Sequence, residues 1–497
     1  MNSKKIPMLS KSKYLAGLQC PLRLWHQCFN PGQASPVSPT QQALFDTGHE
    51  VGRLATRLYP EGVLVETDPL RHEQAVKETL NAMQDPFVEA IYEASFSFDD
   101  VRVKVDILSR FGSRRWNLVE VKSSTKVKNE YLPDVGVQYH VLKGSGLEIE
   151  RAMLLHLNNQ YVYDGRALDL EGLFVSSDLT QEALNYQEEL QGKLQELKGM
   201  LARPHPPEII PSRHCYSPNR CEFLEHCRQS LPENWVMDLT GISQRRLEEL
   251  ASRDIQDIRD VPDSFPLTEI QDRIRCCVKN NEEYIPSELR SELERVVYPV
   301  HFLDFETLGL AVPRYAGTRP YQTVPFQWSD HVLQESGRIE HREYLCEKDK
   351  DPREEFATTL LKALGKKGSI VTYTNYEEGV IKGLAEEFPQ YRDQLLATLG
   401  RVVDLYAIIR KNYYHPGFHG SFSLKDVVPA LLPDVNYENL VIQEGQQAGL
   451  EYLRMIDPTT SAEERERIKA ALLAYCGQDT LTMVKIREEL LKRFRDG

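Results

Sequence analysis

The sequence lacks any long run of apolar residues. A membrane-spanning helix needs roughly 18 or more apolar residues in succession, and the chain contains no such stretch. The first segment, Met1–Ser10, carries two lysines but no apolar core of the length found in signal peptides. These absences argue against a membrane or secreted protein, and we expect the chain to be cytoplasmic.

The sequence also lacks an excess of positive charge. It has 60 Lys and Arg against 74 Asp and Glu, a formal net charge of −14, whereas nucleic-acid-binding proteins usually carry a basic surface. The stretch from Arg102 to Lys128 is an exception, because it contains eight basic residues and two acids. On charge alone, a solvated hairpin face explains this local excess better than a binding surface does.

Internal repeats and low-complexity segments are absent too. The composition is that of a globular protein, with 41% hydrophobic and 27% charged residues, and the length predicts about two to four domains. Strands alternating with helices predict an α/β fold for residues 1–230 and again for residues 297–497. Residues 231–296 are predicted to be a helical connector, in which Leu239–Val261 resembles a helix-hairpin-helix unit, although a purely structural connector is the interpretation that we favour.

The periodicity of apolar residues predicts the main elements of both α/β regions. In the first region the predicted strands are Glu93–Phe98, Val101–Arg110 and Trp116–Ser123, and the predicted helices are Ser12–Cys28, Gln41–Leu58, Asp134–Lys143 and 179–202. In the last region the predicted strands are Val300–Thr307, Ser369–Thr374 and Arg401–Leu405, followed by a terminal helix over Ala462–Arg495.

A first group of candidate site residues lies on two successive predicted strands. Glu120 and Lys122 are two positions apart, so they share one face of their strand, and Asp106 on the preceding strand can meet them there. Two converging carboxylates suit Mg²⁺, which prefers oxygen ligands. A neighbouring lysine can offset phosphate charge and help to position an attacking water. Taken alone, the spacing is more typical of an ordinary amphipathic strand.

Their context resembles the RecB-like branch of the PD-(D/E)XK nuclease superfamily. The resemblance assigns catalytic roles to Asp106, Glu120 and Lys122, and to Gln138 on the following helix. In that branch an early helix usually carries Gly-x-x-x-His, whose histidine is a further metal ligand. Here the stretch Gly48–Gly52 has glycine in place of that histidine. His49 or Glu50 is the candidate substitute.

Four cysteines form a second group. Cys215, Cys221 and Cys227 are each separated by five residues, and Cys20 lies far upstream. Structural zinc sites usually use closer pairs of cysteines, so this spacing fits zinc poorly. One early cysteine and three late ones resemble the iron–sulfur nucleases of the RecB-like branch, which implies a [4Fe–4S] cluster held by the four thiolates, with zinc as the alternative.

The remaining cysteines have no such pattern. Cys28 is a spare candidate for the cluster. The others are interpreted as core or surface thiols: Cys276, Cys277, Cys346 and Cys476.

A third group is acidic. Asp304 and Glu306 share one face of the predicted strand Val300–Thr307, and burying two like charges side by side is costly unless a cation neutralises them. Near the end of the chain, Tyr475 and Asp479 are four residues apart on a helix and therefore share a face.

This order of motifs resembles the DnaQ-like (DEDD) exonucleases, which have a ribonuclease H-like fold. The resemblance adds Glu377, in a segment where the family usually has Asp, and it makes Asp304, Glu306, Glu377 and Asp479 ligands of Mg²⁺ or Mn²⁺. Tyr475 would orient the water. Asp404 matches an acid that is usually not a ligand, and the stretch Tyr413–Lys425 supplies aromatic and basic residues suited to stacking on a nucleic-acid strand.

The whole order of parts resembles a bacterial family of two-nuclease proteins. It implies a metal-dependent nuclease whose last region trims nucleic acid from the 3′ end, with single-stranded DNA as the expected substrate in DNA repair, recombination or defence. Three alternatives stay open: a first region that binds nucleic acid without cutting it, an RNA-processing exoribonuclease, and a scaffold whose acids bind no metal. The sequence identifies no protein partner and no membrane partner.

Overall fold

A computed structural model describes residues 7–65, 71–435, 437 and 440–494 of the chain. These residues form a mixed α/β structure with two mixed β-sheets, so the predicted α/β class is confirmed. The chain divides into two compact units, Met1–Ser230 with Leu310–Tyr321, and Leu231–Gly309 with Gln322–Gly497. The first six residues of the segment Met1–Ser10 lie outside the described ranges. Within those ranges, no helix has both the length and the apolar character needed to cross a bilayer.

The first unit is built around a seven-stranded sheet in the order β2-β3-β4-β5-β6-β7, with β1 pairing to β4. The β3–β4 and β4–β5 pairs are antiparallel, and β5 then pairs with β6 in parallel. The strands are β1 (Leu9–Ser10), β2 (Gly62–Leu64), β3 (Ala90–Phe98), β4 (Val101–Phe111), β5 (Arg115–Lys122), β6 (Glu148–Leu157) and β7 (Phe174–Asp178).

Nine helices accompany this sheet in the described part of the first unit. They are α1 (Lys11–Gln19), α2 (Pro21–Phe29), α3 (Pro39–Thr56), α4 (His72–Gln84), α5 (Leu132–Gly144), α6 (Leu170–Leu173), α7 (Thr180–Asn185), α8 (Gln187–Leu201) and α9 (Leu224–Arg228). Helix α5 connects β5 to β6 and is buried on nearly all sides, because it packs against the sheet, α1, α7 and α8. Its position places its first turn beside the end of β5.

A distant segment, Leu310–Tyr321, belongs to the first unit. Ala311 is buried in an apolar cluster with Val51 and Ala55 of α3. The backbone of Tyr163 is bonded on both sides, because its N–H donates to the carbonyl of Thr318 (2.9 Å) and its carbonyl accepts from Gly317 (2.7 Å). The segment is therefore an integral part of this unit.

The second unit contains a five-stranded sheet in the order β10-β9-β8-β11-β12. The first three strands pair antiparallel, and β11 and β12 are parallel to β8 and to each other. The strands are β8 (Val300–Gly309), β9 (Thr323–Leu333), β10 (Ile339–Leu345), β11 (Ile370–Thr372) and β12 (Val402–Asp404).

Ten helices surround the second sheet in the described residues. They are α10 (Gln244–Ser252), α11 (Glu269–Asn280), α12 (Glu288–Glu294), α13 (Arg353–Leu364), α14 (Tyr376–Glu387), α15 (Arg392–Leu399), α16 (Leu405–Asn412), α17 (Leu424–Leu431), α18 (Gly445–Ile456) and α19 (Ala462–Lys492). The 31-residue helix α19 packs across β8 and β9, which brings its middle turns to the face of the central strand.

The predicted strands agree with the observed ones to within a few residues, but two helices differ. The helix expected over Ser12–Cys28 is two helices, α1 and α2, because Pro21 has no N–H to continue α1 and instead occupies the first turn of α2. The helix expected over 179–202 is likewise divided at Tyr186. Strand β9 was not predicted at all, because every residue from Val324 to Leu333 is buried and no alternation is visible.

The stretch Leu239–Val261 does not form the two short helices of a helix-hairpin-helix unit. Within Leu239–Val261 there is one α-helix, α10, followed by a single 3₁₀ turn at Ile258–Asp260. Leu239 and Ile258 belong to the same buried cluster as Phe302 of β8. The expected connector is thus part of the core of the second unit.

Candidate functional site

Four carboxylates converge in the second unit. Asp304 and Glu306 leave the same face of β8, because they are two residues apart on one strand. Asp479 lies on α19, which packs against β8, and Glu377 lies in the first turn of α14, directly after β11, the strand parallel to β8. The charges of Asp479 and Glu377 both act on Asp304 and Glu306. The structure therefore brings the four predicted acids together.

The acid cluster has little compensating positive charge in the described part of the chain. There, none of the four carboxylates forms an ion pair with a basic side chain, although the charge of Lys425 acts on Asp479. Burial, reinforced by the neighbouring acids, raises the pKa of Asp304 and of Glu306 well above the usual range. Burial also raises the pKa of Asp479 to about 6, although a hydrogen bond with Tyr437 lowers it. Like charges without compensation are the signature of a cation site.

Glu377 is the least satisfied member of the cluster. It is 3% exposed, and its Oε2 atom is buried without a hydrogen-bond partner. Burial, with smaller contributions from Asp404 and Glu378, raises its pKa to about 8. Asp404 itself has a structural task, because its carboxylate caps α16 by accepting from the N–H of Ala407 (2.9 Å). An orphaned buried carboxylate oxygen fits the role of a metal ligand.

Cys476 completes the cluster, although it was not predicted to be a site residue. Its side chain lies one turn before Asp479, and its Sγ lies 3.5 Å from Oδ2 of Asp304. Single donor atoms of Asp304, Glu306 and Cys476 lie within 4.8 Å of one another, and no other set of three such residues meets this criterion in the described part of the chain. Cys476 lies inside the motif that predicted Asp479, because it directly follows Tyr475 in the sequence.

Three tyrosines border the acids. Tyr475 is buried, and burial together with the charges of Asp479 and Glu306 raises its pKa, so its hydroxyl stays protonated. Tyr437 donates a hydrogen bond to Oγ1 of Thr482 (3.2 Å) and also interacts with Asp479. Tyr376 is 47% exposed beside Glu377, and its hydroxyl shares a 2.6 Å hydrogen bond with Thr307. Only Tyr475 was predicted from the sequence.

The aromatic residues of the stretch Tyr413–Lys425 do not have the predicted stacking role. Tyr413, Tyr414 and Phe418 are fully buried and Phe422 is 3% exposed, because all four belong to the core of the second unit. Buried rings cannot stack on bases. The aromatic residues of a core element were therefore wrongly interpreted as a stacking surface. Of this stretch, Lys425 is the residue whose charge acts on the acid cluster.

In the first unit, Glu120 is at the centre of a dense ionic network. Its carboxylate accepts from Nζ of Lys122 (2.7 Å), from Nζ of Lys11 (3.0 Å to each oxygen) and from Nε2 of Gln138 (2.7 Å). Asp134, on the same helix as Gln138, pairs with Lys122 (2.6 Å) and with Lys11 (3.3 Å). The predicted residues Glu120, Lys122 and Gln138 thus meet as expected.

Asp106 joins this network through the backbone, since its Oδ2 accepts from the N–H of Val121 (2.7 Å). Burial, and then the charge of Glu120, raises its pKa to about 7. Burial also disfavours the ionised form of Glu120, but Lys11 and Lys122 outweigh it and hold the pKa of Glu120 well below its usual range. Three acids therefore face two lysines, and the network is largely compensated from within.

Lys11 and Asp134 were not predicted. Asp134 lies four residues before Gln138, so helical spacing could have placed it on the same face. Lys11 is separated from Glu120 by more than a hundred residues, and no local pattern connects them. His49 and Glu50 are both exposed on α3, and neither bonds to the three acids within the described residues. Among the described residues it is therefore Lys11, and not His49 or Glu50, that contacts Glu120 and Asp134.

The basic residues between Arg102 and Lys128 are mostly engaged locally. Arg110 donates to the carbonyls of Val88, Met83 and Asp85, and Arg115 pairs with Glu150. These contacts agree with a structural interpretation of most of the local charge. Around the site, Lys122 and Lys128 both lie over the ring of Tyr131, at 5.5 and 5.8 Å.

The four predicted cluster cysteines are neighbours. Cys215 and Cys221 are buried in one small apolar cluster against which Cys227 packs, and the charges of Cys20 and Cys215 act on Cys227. Backbone N–H groups donate to the sulfurs of Cys20, Cys215 and Cys221. Such hydrogen bonds are among the features that tune iron–sulfur clusters, so four thiols with these donors fit a cluster.

The residues around the thiols hold the early helices against the late segment. Nε2 of Gln19 donates to the carbonyls of His214 and Asn219, both at 2.7 Å, and Arg23 pairs with Glu222 at 2.8 Å. The approach of Cys20 to the other cysteines is thus fixed by direct contacts.

Comparison with known proteins yields one match. Residues 301–423 match a family described as a domain of unknown function, DUF2779. No curated protein and no solved structure matches the chain. The matched stretch contains Asp304, Glu306 and Glu377, whereas Asp479 and the first-unit site lie outside it.

The acid cluster predicts how stability depends on pH. Glu377 has a pKa of about 8 in the folded chain against an ordinary value of 4.5, so the native state binds more protons than the unfolded state between these values, and stability falls as pH rises. In EDTA we expect the ionisation of Glu377 to account for about 3 kcal/mol of the unfolding free energy that wild type loses between pH 5.5 and pH 8, so Glu377→Gln should lose less by about that amount. Urea titrations at both pH values measure this difference.

The matched control is Asp393→Asn, an exposed acid of the same unit, which should retain the wild-type pH dependence. Equal slopes in wild type and Glu377→Gln would show that Glu377 is ionised at little cost, against the structure.

Lys11 gives a second prediction. Lys11→Met leaves Glu120 and Asp134 with only one of their two lysines, and removing one partner of a buried ionic network costs about 3 kcal/mol or more. We expect the unfolding free energy of the first unit to fall by that amount, measured by urea denaturation. Lys77→Met, at an exposed position on α4, is the control. If both variants are as stable as wild type, Lys11 does not belong to the network.

Proposed function

We propose that the protein is a metal-dependent nuclease and that its second unit hydrolyses phosphodiester bonds. The observation that carries this proposal is the cluster of Asp304, Glu306, Glu377 and Asp479, in which Glu306 and Glu377 are buried, Asp304 and Asp479 are partly buried, and no member forms an ion pair with a basic side chain among the described residues. A pair of divalent cations bound there would stabilise the attacking and the leaving oxygen of a phosphodiester. The proposed ions are Mg²⁺ or Mn²⁺.

The topology of each unit supports a fold assignment. In the second unit, an antiparallel trio of strands is followed by two parallel strands, and the acids come from the central strand and from a helix packed on it. This supports a ribonuclease H-like fold of the DEDD exonuclease type. In the first unit, Asp106, Glu120 and Lys122 on adjacent strands, with Gln138 on the next helix, support a PD-(D/E)XK fold of the RecB-like branch.

The side chains around the acids have separate tasks. The carboxylates of β8, α14 and α19 would hold the cations, because they are fixed on rigid elements from three directions. Tyr475 keeps its proton, so its hydroxyl can donate a hydrogen bond that orients a water molecule. Lys425, near Asp479, can attract a phosphate.

The half-exposed Tyr376 supports a nucleic-acid substrate. Its ring is 47% exposed beside Glu377, and its hydroxyl is held by Thr307, so the ring is fixed at the edge of the acid cluster. Stacking on a fixed aromatic ring binds single strands of any sequence. We propose a single-stranded DNA substrate degraded from its 3′ end, with RNA as the alternative, in DNA repair, recombination or defence.

The ionic network favours a second candidate function for the first unit, namely binding nucleic acid without cutting it. Glu120 and Asp134 already have two lysines as partners, so the site has much less uncompensated negative charge to attract a cation than the second unit has. Cleavage there would require a cation to displace at least one lysine from Glu120. The alternative of two cutting centres is the one that the RecB-like resemblance implies.

We further propose that Cys20, Cys215, Cys221 and Cys227 hold a [4Fe–4S] cluster. The group would supply four sulfur–iron bonds joining the start of the first unit to its end, so that its binding energy becomes folding energy. The thiols lie near one another, and backbone N–H groups already point at three of the sulfurs. Zinc at the same thiols is the competing assignment.

Nuclease activity is tested on 5′- and 3′-labelled single-stranded DNA and matched RNA with Mn²⁺. We expect wild type to shorten the strands from the 3′ end, and Asp304→Asn to reduce this activity at least about 100-fold, since a ligand of the catalytic cations is lost. Asp393→Asn is the control in the same unit. If Asp304→Asn degrades both substrates at the wild-type rate, the proposal is wrong.

Lys122→Met separates the two functions of the first unit. If the first unit is a second cutting centre, Lys122→Met should lose one set of cleavage products and keep the products that depend on Asp304. A binding unit predicts an unchanged pattern and a weaker affinity, which a filter-binding assay with EDTA measures.

The cluster is tested by anaerobic purification. Wild type should be brown and contain iron, and Cys221→Ser should lose the visible absorbance and aggregate or unfold in the first unit. Cys28→Ser, a nearby thiol that is not among the four, should keep the absorbance. A colourless wild type that contains zinc would show that the four thiols bind zinc instead of iron. Loss of colour in Cys28→Ser would show that the four proposed cysteines are not the correct set of ligands.

A further inference from the structure

We propose that Cys476 is a ligand of a cation in the second unit and that it makes this site select Mn²⁺, Co²⁺ or Zn²⁺ over Mg²⁺. The inference deepens the proposed function and rests on it, because it concerns the same acid cluster. It goes further by assigning a sulfur ligand and a class of metal to the site.

The position of the sulfur carries the argument. Sγ of Cys476 lies 3.5 Å from Oδ2 and 3.7 Å from the backbone oxygen of Asp304. It also lies within 4.8 Å of donor atoms of both Asp304 and Glu306. Three donors at this separation can bind one ion from one side. Cys476 is 0% exposed, so an ion bound to it would be shielded from solvent.

The setting is unusual for a core thiol. A buried cysteine ordinarily behaves as a small apolar residue among apolar neighbours, whereas the charges that act on Cys476 are those of Asp304, Glu306 and Asp479.

A second observation points to a bound ion independently of the cysteine. Oε2 of Glu377 is buried without a hydrogen-bond partner, and Glu377 is 3% exposed. The charge of Glu377 acts on both Asp304 and Glu306, so this unsatisfied oxygen belongs to the same cluster. The cluster therefore offers oxygen ligands from three elements and one sulfur ligand from α19.

The ligand chemistry determines the metal. Mg²⁺ takes oxygen ligands in a strict octahedron and has little affinity for sulfur, whereas thiolates favour the softer divalent ions. When the ion binds, the thiol proton leaves to solvent and a metal–sulfur bond forms, so no oxidant or reductant is needed. An oxygen-only cluster in the same place would lack this selectivity.

Cobalt gives a direct test in the full-length chain. Co²⁺ bonded to a thiolate produces an intense sulfur-to-cobalt band in the near ultraviolet. Because the cysteines of the first unit can also bind Co²⁺, the signal of Cys476 is the difference between wild type and Cys476→Ser under anaerobic titration. We expect the intensity of that difference to correspond to about one Co²⁺ ion per chain. We also expect Asp304→Asn to lose the same part of the band as Cys476→Ser.

Metal preference is measured separately from activity. The rise in melting temperature is recorded against Mn²⁺ and Mg²⁺ concentration, which gives an affinity for each ion. We expect Cys476→Ser to lower the ratio of Mn²⁺ to Mg²⁺ affinity by about tenfold. The control is Cys346→Ser, a buried thiol of the same unit whose Sγ lies beside the carbonyl of Lys348, and its ratio should equal that of wild type.

The outcomes distinguish the two proposals. If Mn²⁺ and Co²⁺ bind, but Cys476→Ser changes neither the cobalt band nor the affinity ratio, the sulfur ligand is refuted while the proposed nuclease site stands. If neither Mn²⁺ nor Mg²⁺ raises the melting temperature and no Asp304-dependent cobalt band appears, both proposals fall together. Loss of the band in Cys476→Ser with a folded protein supports the sulfur ligand.

Discussion

Repulsion among like charges is the constraint on which the second unit depends. Asp304 and Glu306 stand on one face of β8, while Leu303 and Phe305 on the opposite face are buried in an apolar cluster with α13 and α14. The strand cannot turn its acids to solvent without exposing those apolar side chains. Packing of α19 then fixes Asp479 close to them. The hydrophobic core thus holds together charges that would separate in water.

The two acidic sites solve the same electrostatic problem in different ways. In the first unit, the ammonium groups of Lys11 and Lys122 lie within hydrogen-bond distance of Glu120, and the side-chain amide of Gln138 donates to the same carboxylate. In the second unit the oxygen of Glu377 has no partner. A network with its own counter-ions is a stable unit without metal, whereas a cluster without them needs an ion from solution. This contrast is the basis on which we propose binding for the first site and hydrolysis for the second.

Sequence periodicity predicted the strands that carry the sites but not their surroundings. Glu120 and Lys122, or Asp304 and Glu306, are neighbours through the two-residue repeat of a strand, so a local pattern reveals them. Lys11 reaches Glu120 only because α1 packs beside α5, and Cys476 is a metal candidate only because α19 lies across β8. Such contacts come from tertiary packing. The aromatic stretch at 413–422 was misinterpreted for the same reason, because the sequence does not show whether an aromatic ring is buried in the core or exposed for stacking.

The path of the chain has a consequence for any attempt to divide the protein. The stretch Leu310–Tyr321 leaves the end of β8, contributes Ala311 to the core of the first unit and its backbone to the hydrogen bonds of Tyr163, and returns to begin β9. A single scission near residue 230 would therefore separate the first unit from one of its own segments and leave that segment, with Ala311, attached to the second unit. The dependence runs one way, because the first unit requires a stretch of chain that the sequence places between two strands of the second.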